Sequence, residues 1–99
     1  MMQPQGLGPE EIIVRLARQF PALKKAPGLE PWKPEVLDSW GANGATGSGA
    51  RAAVKFVLAV WNGDEVVWEV GGFRLSDVRK FDADNLEVWK TWAARLFFL

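Results

Sequence analysis

The chain reads as a small, mainly α protein: four or five helices packed around one central apolar helix. Three observations lead there. Apolar residues recur at helical spacing near both ends of the sequence. Proline or aspartate opens the periodic stretches, and glycine or proline closes them. The 99 residues, 48% hydrophobic and 24% charged, suit one globular domain with one core, expected over residues 9–99 with 1–8 loosely attached.

Pro9, Glu10 and Glu11 open the first helix, because proline at the first helical position gives up no needed N–H and the carboxylates face the positive end of the dipole. Ile12, Ile13, Leu16, Ala17 and Phe20 share one arc, with Glu11, Arg15, Arg18 and Gln19 opposite. Pro21 stops it. Residues 21–33 hold Pro21, Pro27, Gly28 and Pro31 and read as an extended connection. A short second helix follows Pro34, with Val36, Leu37 and Trp40 on one side and Gly41 as its stop. The glycine-rich stretch 41–49 lacks periodicity and reads as loop, with Thr46 or Ser48 capping the next helix.

Residues 48–62 form the expected central helix. Ser48, Arg51, Lys55 and Asn62 fall within about 60° of each other as a narrow polar seam, and nearly everything else is apolar. Gly63 supplies a left-handed cap. The alternative is an α+β fold, with a hairpin over about 53–70 turning at Asn62-Gly63. The alanines at 50, 52, 53 and 59 and the aligned polar seam favour the helix, and 66–70 reads as a short extended piece. Ser76 then caps one or two helical turns. Asp82 or Asp84 caps a last helix, whose Leu86, Trp89, Trp92, Ala93, Leu96 and Phe97 occupy about 140° of arc.

Function is bounded chiefly by exclusion. Twelve basic residues balance twelve acidic ones, and cysteine, histidine and tyrosine are absent. Thiolate and imidazole metal ligands and His-assisted nucleophiles are therefore unavailable. Gly44-Ala45-Thr46-Gly47-Ser48-Gly49-Ala50 resembles a dinucleotide-binding turn, but such a turn must follow a buried strand and residues 35–40 have helical spacing; no cofactor is expected. The carboxylate pairs Asp82/Asp84 and Asp64/Glu65 stand where caps and turns use them. Lys55 is expected to snorkel outward from its apolar helix.

Tryptophan is the remaining lead, at six copies in 99 residues. Trp32 and Trp68 have no element that obviously buries them, Phe98 projects opposite the apolar arc, and Leu99 ends the chain. These four residues are the candidate interface of a small non-catalytic protein that docks on another protein or on a copy of itself. The alternative is a nucleic-acid accessory protein with a degenerate helix-turn-helix at 74–96, using Arg74, Arg79, Lys80, Lys90 and Arg95. Carboxylates at the start of its second helix would face phosphate with the wrong sign. The opening residues have no basic or apolar run, and residues 52–61 are interrupted by Lys55 and too short to span a bilayer. A cytoplasmic location is the expectation.

Overall fold

The computed structural model describes residues 8–44, 47–63 and 66–97, the last three as backbone only. Four α-helices carry the architecture: α1 (Pro9–Gln19), α2 (Pro34–Ser39), α3 (Ser48–Asn62) and α4 (Ala83–Phe97). Short 3-10 helices occupy Pro21–Leu23 and Leu75–Lys80, and a π turn, Trp40–Gly44, continues α2. No strand forms among the described residues, so 53–70 is not a hairpin.

Helix α3 is central for the reason its sequence suggests. Ala50, Ala52, Ala53, Val54, Phe56, Val57 and Leu58 are all buried, which an amphipathic surface helix would not permit. Against it α1 lays Ile13, Leu16 and Ala17, and Phe20 follows them into the core, while Ile12 at the edge of the arc stays 43% exposed. Phe20 meets Phe56 edge-on at 6.0 Å and stacks on Phe81 at 5.6 Å. Phe73 contacts Phe56 at 5.2 Å and Trp89 at 6.4 Å. This ring cluster ties α1, α3 and α4 together, and each such pair adds about 0.5–1.5 kcal/mol beyond its buried area.

Several local expectations need correction. The 21–33 connection is not simply extended. Leu23 and Leu29 are buried, and backbone bonds such as Leu23 N–H to Phe20 O (2.9 Å) and Lys33 N–H to Gly28 O (2.8 Å) turn the chain so that they reach the core. Gly41 does not stop α2. It is buried where the π turn crosses α3, and a Cβ there would stand 2.7 Å from Val54 Cγ1. Gly47, not Ser48, precedes the first turn of α3, which has no side-chain cap; Thr46 lies outside the described residues. Gly63 closes α3 at φ +61°, its N–H donating to Ala59 O at 2.7 Å. At α4 the cap is Asp82, whose Oδ1 accepts the Asn85 N–H at 2.9 Å.

Candidate docking surface

Between α3 and α4 the chain leaves regular helix. Residues 66–74 are turn and extended backbone, followed by the 3-10 helix Leu75–Lys80. Trp68, Val70 and Phe73 pack it on the core, but irregular backbone must also have its polar groups satisfied. Two buried carboxylates contribute to this.

The first is Asp38, 8% exposed, near the C-terminal end of α2. The negative end of the helix dipole disfavours a carboxylate there, so its presence needs compensation. Oδ1 accepts the Val70 N–H at 2.8 Å and Oδ2 accepts the Glu69 N–H at 3.0 Å. Two consecutive backbone donors are thereby satisfied by one side chain, as an adjacent strand would otherwise satisfy them. Val70 is drawn inward to 7% exposure beside this bond.

The second is Asp77, 2% exposed. Its Oδ2 accepts the Arg74 N–H at 2.8 Å, and its Oδ1 lies 3.4 Å from both Lys55 Nζ and Lys80 Nζ. Burial pushes its carboxyl pKa upward. The Arg74 N–H and the two ammonium groups outweigh that, and the group ends below the ordinary aspartate value. Ser76 is not the cap of this turn: Asp77, from the third position, bonds back to the N–H of the residue before it. Nor does Lys55 snorkel outward. Its side chain is 16% exposed and its ammonium sits against Asp77, because an ion pair with a buried carboxylate was within reach.

Held from inside at 69–70 and at 74–77, the strap presents apolar side chains to solvent. Val67 is 98% exposed, Leu75 81% and Val66 40%. Beside Val66 and Val67 lies a cavity of about 220 Å³, lined also by Ala59, Trp68 and Phe73 with Lys55 at one wall. Trp68 is half-buried and packs against the core; its exposed neighbours, rather than its own ring, form the outer surface. Trp32 is also half-buried, edge-on to Trp61 at 5.3 Å. The indole N–H groups of Trp32, Trp68 and Trp89 are buried without an acceptor among the described residues. Phe98 and Leu99, the other two candidate interface residues, lie outside the described residues.

Of the basic set, Arg74, Arg79 and Lys80 come together on the 3-10 turn, all exposed. Lys90 sits apart on α4, paired with Glu87 at 3.2 Å, and the Arg95 side chain lies outside the described ones. The element before α4 is a six-residue 3-10 helix, too short and too tightly wound to be the first helix of a helix-turn-helix. Asp82 is engaged as a cap. The backbone and side-chain N–H groups of Asn85 hold its carboxyl below the ordinary range, and Asn85 Oδ1 in turn accepts the Ala22 N–H at 3.1 Å. Asp64 and Glu65 lie outside the described residues. Among the described residues no cluster of three carboxylates is placed to share a cation, and no helix is long and apolar enough to cross a membrane.

Sequence reasoning overlooked Asp38 and Asp77. Asp77 carried a signal, since an acidic residue three positions into a turn commonly bonds back to the backbone before it. Asp38 carried none, because its partners are 31 and 32 residues away. Compared with known proteins, the chain matches no family model, no curated protein and no solved structure.

Proposed function

We propose that this protein is a non-catalytic docking module whose 66–80 strap presents Val67 and Leu75 to another protein. One observation carries the reading: large apolar side chains stand almost fully in water on a backbone pinned by two buried carboxylates. Buried carboxylates are costly to desolvate and are often no more stabilising than apolar replacements. Their gain here is position. A preorganised surface loses less entropy on association than a loose loop, so the same apolar contact yields more affinity. The side chains available on the strap also suit contact better than bond-making chemistry, as its charged groups are two arginines, one lysine bonded to Asp77, and the Glu69 and Asp77 carboxylates, both engaged in hydrogen bonds.

The test places a photo-cross-linking phenylalanine analogue at Val67 in the native host, with the same group at Lys90 on the outer face of α4 as control. Discrete protein adducts at Val67 and none at Lys90 are expected. Equal labelling at both positions would remove the reading. Light scattering over a range of concentrations shows whether the adduct is a second copy of the chain.

A further inference from the structure

The 3-10 turn at Leu75–Lys80 carries more than an exposed leucine. With three residues per turn, side chains three apart eclipse one another. Asp77 and Lys80 share one row, in which Asp77 turns toward α3 and Lys80 stays exposed, and Arg74, in extended backbone just before the turn, is exposed as well. Leu75 and Val78 form the second row, Ser76 and Arg79 the third. The apolar row therefore runs between cations: Arg74 and Lys80 on one side, Arg79 on the other. Lys80 is bonded to Asp77. Arg74 and Arg79 are exposed and have no acidic partner among the described residues. The nearest carboxylate that follows in sequence is Asp82, which is engaged in capping α4 through Asn85.

We propose that this turn docks an acidic segment of a partner protein, one carrying an apolar anchor against Leu75 with carboxylates on either side for Arg74 and Arg79. The proposal deepens the docking reading and rests on it. Charge decides the class of occupant. Arginine's fork matches a carboxylate in bidentate geometry, and two arginines without an acidic partner among the described residues, beside a leucine, exclude a basic or purely apolar segment by repulsion or by desolvation. An anionic bilayer would be a poor fit, because a single leucine with a few cations falls short of the paired signals that stable membrane attachment takes. Nucleic acid would bury Leu75 against phosphate, where it has nothing to gain.

The experiment uses the full chain as bait for a displayed library of random short peptides, with the selected peptides then titrated in solution. Enrichment of Asp and Glu around one large apolar residue is expected. Affinity should fall about tenfold or more in Leu75→Ser, since burial of one leucine is at stake. It should fall similarly in Arg74→Glu/Arg79→Glu and between about 50 and about 500 mM salt. The Arg74 N–H that holds Asp77 survives its side-chain replacement, so both variants should keep the wild-type circular dichroism and melting temperature. Enriched peptides that lack acidic residues, or that bind the charge-reversed variant equally well, overturn the acidic partner while leaving the docking reading intact. A library from which nothing enriches overturns both. Retention on phosphatidylserine-containing vesicles or on duplex DNA that Leu75→Ser abolishes, with no peptide selected, overturns the proposal in favour of those surfaces.

Discussion

The α1–α3 face is held by apolar burial alone, whereas the 66–80 strap adds to the packing of Val70 and Phe73 two carboxylates that fix its backbone. In the first, Leu16, Ala17, Phe20, Val54, Val57 and Leu58 are fully buried, and the backbone donors are satisfied within the helices themselves. In the second, backbone donors are satisfied by Asp38 and Asp77, and the large apolar residues Val67 and Leu75 face solvent. Hydrophobic burial is non-directional and tolerates small shifts. A carboxylate accepting a particular N–H at 2.8 Å does not. The core therefore supplies stability, while the strap gains a defined shape for its outer surface.

That contrast can be broken from either side. Phe20→Ala should have the largest effect, about 4 kcal/mol, because it empties a site lined by Phe56 and Phe81; thermal unfolding followed by circular dichroism measures it. Asp77→Ala should cost about 3 kcal/mol by leaving Lys55 buried without its counter-ion. Adding Lys55→Met should recover part of that loss, and no recovery would mean that the Arg74 bond matters more than the charge.

Asp77 also sets an acid limb. Its carboxyl is lowered in the folded state, so it contributes stability at pH values above the unfolded value, about 4. That contribution is lost as pH falls through the folded value. Urea midpoints taken from about pH 6 to about pH 2.5 should drop less steeply in Asp77→Asn than in wild type. Equal slopes would assign the limb to other carboxylates.

Smaller still is Asp38→Asn, at about 1–2 kcal/mol, since the amide can accept only one of the two N–H groups and sets its own donor against the other. Its signature is local: amide exchange at Glu69 and Val70 should speed up far more than exchange in α3. Uniform acceleration would mean that the strap and the core unfold together. Least of all, Val67→Asp should change stability by no more than about 0.5 kcal/mol, as expected for an exposed site. A larger loss would show that Val67 is structural and remove it from the proposed docking surface.

Much of the helical half was readable in advance. The limits of α1 and α3 followed from Pro9, from Pro21 and from Gly63, and the central place of α3 from its continuous apolar surface. These signals are local, acting within one or two turns of the residue that carries them. Where the reading failed, a distant partner intervened. Gly41 looked like a helix stop until Val54 required a residue without a side chain there. Lys55 looked solvent-bound until Asp77, 22 residues on, offered a counter-ion. Of the proposed surface, the sequence singled out Trp68, which packs inward beside Val67, and Arg74, Arg79 and Lys80, which it named as nucleic-acid contacts and which stand together at the 3-10 turn. Val67 and Leu75 could not be singled out, because alternation and spacing do not tell an outward valine from an inward one in irregular backbone.

Helix positions, the apolar centre and the lack of thiol and imidazole chemistry were already written in residue order, since each depends on neighbours within a few positions or on composition alone. Which aspartates would be buried, which valine and leucine would face water, and which arginines would flank them emerged only once the chain had packed. Those outcomes depend on contacts between groups 20 or more residues apart, and pairings over such distances are chosen by the shape of the assembled core rather than by any local preference.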